Sequence, residues 1–428
     1  MPTAAFVTLG CKVNQYDTQL MREVLKKAGY ELVNPDEIAD VYIINTCTVT
    51  SISDRKSRQM IRRLANINPN AKLIVTGCYA ERRPDEIKNL QNVNLVLSNK
   101  DKPFIDKFLN GFINETQNEA SFYPCITTFG DQTRALIKIE DGCDSMCTYC
   151  IVPYVRGRSI HSRPLDSILQ EAQALVENGY KEIVLTGIHL GAYGKDFSDG
   201  IGLIDVIRAI HGIDGIERVR LSSIEPMDVS DELINEISHL HKCAHHLHIS
   251  LQSGSDKILR LMRRGYTSAE FENLVNKIRS AIPNVGISTD IMVGFPGETE
   301  QDFAETREFI SRIRFSRLHV FRYSPREGTP AVKFPDRVPD RISSKRSDEI
   351  IALGERMLRE FYSSMLGQYA DVLIEDVREG KDNLLAGFTS NYARVVVSDA
   401  TEDLLNCILR VQLIKLENEY LIGVVNSI

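Results

Sequence analysis

The stretch DGCDSMCTYCIVP, residues 141–153, puts three cysteines, Cys143, Cys147 and Cys150, on one short segment with three and then two residues between them. A closed structural zinc or iron–sulfur site usually takes four protein ligands. Three thiolates can hold three irons of a four-iron cluster, which leaves the fourth iron to bind something else, and an open metal position usually marks a catalytic site. The competing reading is a zinc site completed by a distant residue such as His161. The stretch directly follows the apolar run ALIKIE at 135–140, so its thiols are expected just past the end of a strand.

Five further strand candidates follow: EIVLTG at 182–187, RVRLSS at 218–223, HLHISL at 246–251, GISTDIMVG at 286–294 and RLHVFRYS at 317–324. Helical patterns such as LDSILQEAQALVENG separate them. Six strand–helix units are too few for an eight-unit barrel and imply a partial, open barrel of parallel strands with its ligands at the strands' C-terminal ends.

Upstream, the runs AFVTL (5–9), DVYIINT (40–46), KLIVTG (72–77) and VNLVLS (93–98) alternate with QYDTQLMREVLKKAG and SDRKSRQMIRRLA, the latter with Ser53 or Asp54 as its capping candidate. This alternation implies an open parallel sheet. Cys11, Cys47 and Cys78 each stand just beyond the C-terminal tip of one of these strands, along the edge where ligands of such sheets collect. Three thiols scattered in sequence could therefore converge on a second open cluster, the alternative being buried cysteines acting as small hydrophobes.

The chain of 428 residues allows roughly two to four domains. Residues 113–133 turn polar and read as a linker. The helical segment 343–366 leads into short β-rich runs, YADVLIEDV, LLAGFTS, ARVVVSD and CILRVQLIKLE, which suit a small antiparallel barrel. The expected fold is therefore α/β: an open parallel-sheet domain over 1–112, the linker, a partial (β/α)6 barrel over 134–360, and an antiparallel β-barrel over 361–428. No apolar run approaches the roughly 18 residues needed to span a bilayer. The N-terminus has no secretory pattern, and nine cysteines in such a chain read as metal or redox ligands in a cytoplasmic protein.

The Cys-x3-Cys-x2-Cys pattern with Tyr149 before its last cysteine resembles the signature of the radical S-adenosylmethionine (SAM) enzymes. The resemblance implies a partial six-unit barrel, a 4Fe-4S cluster and SAM as the ligand of the open iron. It also suggests SAM contacts at Tyr149, at Thr186 and Gly187, at Ser223 and Glu225, and at Gly294 and Gly297. The stretch LTGIHLG at 185–191 lacks the glutamate that many members carry there, and each glycine also suits a plain strand-to-helix turn.

With LGCKVNQYDT, NTCTVT and TGCYA added, the chain resembles the methylthiotransferases over essentially its whole length, and its last domain is similar to their RNA-binding TRAM domain. The stretch LGCKVNQYDTQ most resembles the branch acting on N6-threonylcarbamoyladenosine in the tRNA anticodon stem-loop. Implied are two 4Fe-4S clusters, one SAM that donates methyl to sulfur at the Cys11, Cys47 and Cys78 site, and a second SAM as radical source. An electron donor such as flavodoxin or ferredoxin is implied too, and no catalytic acid–base pair. Other branches of the family act on isopentenyladenosine or on a ribosomal-protein aspartate.

The net charge of −7 does not exclude a local basic groove. RKSRQMIRR at 55–63, VRGRSIHSR at 155–163 (Arg156, Arg158, Arg163) and RLMRRG at 260–265 could neutralise phosphates, or could be solvated helix faces. Phe388, Tyr392 and Arg394 could stack on or pair with nucleotides, or serve core packing. HLHKCAHHLH at 239–248 suggests a metal site by composition, but spans a helix end and strand start, where its side chains would diverge. A rival of another class is an RNA-binding protein stabilised by zinc and without catalysis.

Overall fold

The computed structural model describes residues 1–109, 124–130, 132–379 and 383–425. The N-terminal region is a parallel sheet of β1 (Thr3–Thr8), β2 (Glu31–Val33), β3 (Val41–Thr46), β4 (Lys72–Gly77) and β5 (Val93–Val96), in the order β2-β1-β3-β4-β5. The central strand β3 is buried at every position, as its unbroken VYIINT run requires of a sheet covered on both faces. The short edge strand β2 escaped the pattern because it is largely exposed. Helices Lys12–Lys27 and Ser51–Ile67 flank this sheet. The second is capped by Thr50, whose side chain accepts from the Ser53 amide, and not by Ser53 or Asp54. Asp54 is engaged elsewhere, with Thr48, Arg82 and Arg326.

The central region contains β6 (Arg134–Lys138), a small antiparallel pair of β7 (Glu140–Asp141) with β8 (His161–Ser162), then β9 (Glu182–Thr186), β10 (Arg218–Leu221), β11 (Ser223–Ile224), β12 (His246–Ile249), β13 (Gly286–Val293) and β14 (Arg317–Arg322). Two parallel ladders, β10-β9-β6 and β11-β12-β13-β14, continue into one another because β10 and β11 are separated by Ser222 alone. The result is the expected open run of six strand positions. Ile137, Ile183, Val219, Leu247 and Ile287 share one apolar core with helix residues such as Ile168, Ile207 and Phe303. The alternate strand residues face inward.

Residues 124–130, expected to be linker, are docked. Ile126 and Phe129 join the barrel core, Glu23 accepts from the Thr128 amide at 3.2 Å, and the Phe129 amide donates to the Tyr180 hydroxyl at 2.6 Å. Residues 113–123 and 131 of that segment lie outside the described residues.

The helix Asp340–Ser364 packs against β14 and carries Leu358 and Tyr362 into the next core. There β15 (Tyr369–Glu379), β16 (Leu384–Thr389), β17 (Arg394–Val397), β18 (Ile408–Glu417) and β19 (Tyr420–Val425) close a barrel in the order β15-β16-β17-β19-β18. The expectation of an antiparallel barrel holds for four of its five pairings; β17 and β19 run parallel. A closed ring with an odd number of strands cannot alternate direction all the way round, so one parallel pair is obligatory.

Candidate active site

Cys11 caps the helix Lys12–Lys27, Cys47 follows β3, and Cys78 opens the helix Cys78–Arg82 directly after β4. Strands β1, β3 and β4 are neighbours in register, Thr8 beside Asn45 and Thr46 beside Gly77, so the three chain exits lie side by side. A Cβ on Gly10, whose φ is +112°, would come within 3.0 Å of the Cys47 Cβ. The Cys11 turn thus passes over Cys47 on backbone that favours glycine. Asn14 Nδ2 ties the turn down, donating to the carbonyls of Leu9 at 2.7 Å and Thr46 at 3.0 Å. Burial pushes the thiols of Cys47 and Cys78 up, and both lie within electrostatic reach of Cys11.

Beside them is a buried charge network. Asp17 accepts from Lys138 at 2.6 Å, Lys102 at 2.8 Å and Arg156 at 2.9 Å; Arg156 also reaches Asp141 at 3.0 Å and Asn14 Oδ1 at 2.5 Å. Burial disfavours the charge on Asp17, but the three cations hold its carboxyl well below the usual range. Three cations face two carboxylates, Asp17 and Asp141. The surplus positive charge is directed at Cys78, which Arg156 and Lys102 influence directly. Such surroundings fit a thiolate-ligated, anionic cluster.

The expectation that Arg156 and Arg163 contact RNA is therefore corrected. Both side chains are buried, Arg156 in this network and Arg163 with Glu171 at 3.1 Å and the Tyr16 hydroxyl at 2.9 Å. They join the N-terminal sheet domain to the barrel. Arg158 is exposed, stacked over Tyr154. In the 260–265 segment Arg264 is also buried.

The second cysteine set sits on the loop bracketed by β7 and β8. The Cys143 amide donates to the Gly157 carbonyl, and Thr148 anchors the loop to Leu261 at 2.8 Å. Burial pushes the Cys150 thiol up to about 12. Arg264 donates to Cys147 Sγ at 3.3 Å and pairs with Glu225. Glu225, just past the C-terminal end of β11, thus stands near this loop, whereas Ser223 opens that strand and is exposed. Tyr149 packs its ring edge against Phe295. Gly294 and Gly297 have φ of +76° and +83°. The Gly294 amide donates to Glu298, whose carboxyl burial pushes up to about 7.

Two groups here went unrecognised in the sequence. His189, not the exposed His161, approaches Cys143, with Nδ1 at 3.9 Å from its sulfur and Nε2 at 2.7 Å from Asp228. Burial opposes charge on this imidazole, yet the hydrogen bonds to Asp228 and Cys143 push it up to about 10. Glu140 lies over Gly187, where any Cβ would overlap its carboxylate, beside the buried Thr186. Its Oε1 accepts from the His189 amide at 2.6 Å, its Oε2 has no hydrogen-bond partner among the described residues, and burial pushes it up to about 8. A carboxylate is therefore present at the strand end where LTGIHLG lacks one, supplied by the neighbouring strand. A glutamate one residue before Asp141 and a histidine after Gly187 were the available signals.

Phe388 and Tyr392 do not face solvent as an RNA platform. Their rings stack at 4.7 Å, and Tyr392 stacks in turn on the buried His246 at 4.7 Å. Arg220 donates to the carbonyls of Thr389 and Ser390, and the Asn391 carbonyl presses against Gly286 so closely that a Cβ would not fit. The turn 389–392 thereby closes the end of the barrel where the strands begin. Arg394 pairs with Glu379. Of the histidine-rich stretch, His239 and His241 are exposed, Cys243 is buried with its thiol pushed up to about 12, and His246 and His248 point into the barrel. There His248 joins Asp290 and His319, with ligand atoms within 4.8 Å of one another.

Residues 137–310 match the radical SAM superfamily, and residues 3–98 match a family described as uncharacterized protein family UPF0004. Among solved structures the fold is similar to the radical SAM methyltransferase TsrM from Kitasatospora setae, with a TM-score of 0.55, 13% identity and coverage of 76% of each chain. It is also similar to the cobalamin-dependent SAM radical enzyme OxsB, with a TM-score of 0.53, 13% identity and coverage of 85% of this chain and 57% of that one. An open barrel with three thiols on the loop after its first strand defines a radical SAM enzyme, which works with a 4Fe-4S cluster and SAM. The threonylcarbamoyladenosine tRNA methylthiotransferase MtaB of Bacillus subtilis is 40% identical over 97% of this chain and 94% of its own length. Its counterpart in Thermotoga maritima is 41% identical over 92% and 91%. A tRNA-2-methylthio-N(6)-dimethylallyladenosine synthase of Acetivibrio thermocellus is 34% identical over 95% and 87%. The chain belongs to the radical SAM methylthiotransferase family.

Proposed function

We propose that the protein converts N6-threonylcarbamoyladenosine beside the tRNA anticodon to its 2-methylthio derivative. The observation that carries this is the near-full-length similarity to relatives of that name, together with two sets of three cysteines, one along the sheet edge and one on the loop after β7. Bound clusters and SAM would supply the radical that activates an otherwise unreactive ring carbon and the methylated sulfur that replaces its hydrogen. The chain's own work is to bind, orient and exclude water.

Cys143, Cys147 and Cys150 would hold the SAM-binding cluster, and Cys11, Cys47 and Cys78 a second 4Fe-4S cluster. Arg264 and His189 brace the first loop, while Arg156 and Lys102 offset negative charge at the second site. Tyr149, Thr186, Gly187, Ser223, Glu225, Gly294 and Gly297 are the SAM contacts we assign, with Glu140 added because its free oxygen suits an ammonium group. RNA phosphates would meet Arg158 and the exposed Arg55 and Lys56, in the second turn of the helix Ser51–Ile67 near exposed Val49 and Ile52. The working divisions are 1–112, 134–360 and 361–428. A low-potential donor such as flavodoxin or ferredoxin would supply the electron, and a tRNA substrate implies a cytoplasmic enzyme. Among the described residues no helix is long and apolar enough to cross a membrane.

The test is mass spectrometry of nucleosides from tRNA incubated with anaerobically reconstituted protein, SAM, sulfide and a reductant. A methylthio group on threonylcarbamoyladenosine is expected. A product on dimethylallyladenosine would move the enzyme to that branch, and SAM cleavage without any tRNA product would point to a ribosomal-protein substrate. A colourless zinc protein would overturn catalysis altogether.

A further inference from the structure

Lys12 follows Cys11 directly and begins the helix Lys12–Lys27, whose Tyr16 and Leu20 join the barrel core. It is half-buried, and its ammonium lies within electrostatic reach of Tyr392, Arg134, Arg220, Glu182 and His246. These groups form the floor of the barrel's interior. Arg220 pairs there with Glu182 at 2.7 Å, Arg218 with Glu182 at 3.1 Å, and Arg134 with Glu375 at 2.6 Å. Arg134 also donates to the Tyr392 hydroxyl at 3.0 Å. Each arginine is thus engaged. Lys12 has no hydrogen-bond or ion-pair partner among the described residues. Counting Lys12, four cations share this chamber with two carboxylates, Glu182 and Glu375. A half-buried ammonium without a counter-ion is costly, and a carboxylate with a charge-assisted hydrogen bond relieves that cost.

The relatives divide by the group on adenine N6. Threonylcarbamoyl ends in a carboxylate, whereas dimethylallyl is a bare hydrocarbon. The substituent leaves the purine two ring positions from C2, and C2 must come close to sulfur at the cluster that Cys11 helps to hold. A cation one residue from Cys11 is therefore placed to meet the end of that substituent. We propose that Lys12 binds the carboxylate of the threonylcarbamoyl group and so selects it over an apolar N6 substituent. This rests on the substrate reading above and names the residue that would enforce it. On this floor the faces of Tyr392 and Phe388 are covered by Arg134 and Arg220.

The experiment compares anticodon stem-loops carrying N6-threonylcarbamoyladenosine with the same RNA as the threonyl methyl ester, which keeps the shape and removes the charge. Binding is read by fluorescence anisotropy, and methylthiolation by kcat/KM, in reconstituted protein at matched iron content. Wild-type protein is expected to favour the acid by about tenfold or more. Lys12→Gln should bring acid and ester to within about twofold of each other, and Lys12→Arg should restore most of the preference. If Lys12→Gln keeps the wild-type ratio, the assignment of Lys12 fails while the substrate stands. If acid and ester weaken equally in Lys12→Gln, the lysine serves the cluster and not the substrate, which also overturns it. If wild-type protein acts on neither RNA, the substrate reading itself has failed, and the role of Lys12 falls with it.

Discussion

The two cysteine sets reach the same count of three by opposite routes. Cys143, Cys147 and Cys150 are gathered by a single loop whose ends are pinned by a two-stranded ladder. Cys11, Cys47 and Cys78 are gathered by a sheet: the register of three parallel strands brings their exits together across 68 positions of sequence. A loop can present thiols with little help from distant residues. A sheet edge needs its strands, the Gly10 turn and the Asn14 clamp all in place. Their electrostatics differ in the same sense, with Arg264 and His189 close to the loop set and a connected network of Asp17, Lys102, Lys138, Asp141 and Arg156 beside the sheet set.

Single substitutions should separate the two most sharply. Cys147→Ala is expected to abolish SAM cleavage, measured as 5'-deoxyadenosine, whereas Cys47→Ala should keep cleavage and lose the methylthio product. Retained cleavage in the first variant would reverse the assignment of the two sites. Next in size is Asp17→Asn, which leaves Lys102 and Arg156 facing each other without their shared anion. It should cost about 3–5 kcal/mol in urea unfolding, and a cost under 1 kcal/mol would show that the network does not hold the sheet domain to the barrel. A smaller, pH-dependent effect is expected at Glu140. Its folded carboxyl, pushed to about 8 from an ordinary 4.5, holds its proton while the unfolded chain has released it. Its contribution is thus complete below pH 4.5 and lost as pH rises to about 8. In SAM-free protein Glu140→Gln should gain stability over wild type across that window in thermal melts; parallel curves would disprove the shift. Smallest is Arg158→Ala, expected to weaken binding to any tRNA and to lower the salt slope by about one. An unchanged slope would remove Arg158 from the RNA face.

The strand–helix alternation and the placement of six cysteines just past strand ends could be read in the sequence, because apolar runs and residues at their ends are local signals. What could not be read is which side a charge faces. Arg156 and Arg163 lie in a basic segment that looks like an RNA patch, and only the docking of the sheet domain onto the barrel buries them. The same holds for Tyr392, which on a small β-barrel reads as a stacking platform but turns inward onto His246. Residues 124–130 read as linker because their seven positions carry no period, although two side chains are enough to dock them. His189 and Glu140 were missed for another reason: their sequence signals were weak, and their importance comes from a contact between separate segments, not from any motif.

The turn 389–392 has a consequence for solvent. An open six-strand barrel is a tube, and a tube with both ends free would hold a thread of water running past the place where a carbon radical forms. With the Tyr392 and Phe388 rings seated at one mouth, the C-terminal domain acts as a stopper, and RNA arriving at the other mouth would complete a dry compartment. Removing that domain should therefore do more than weaken the grip on tRNA. It should let the radical be quenched by an electron from the reductant and a proton from solvent, which would be seen as SAM consumed without product and, in deuterated buffer, as label appearing in 5'-deoxyadenosine.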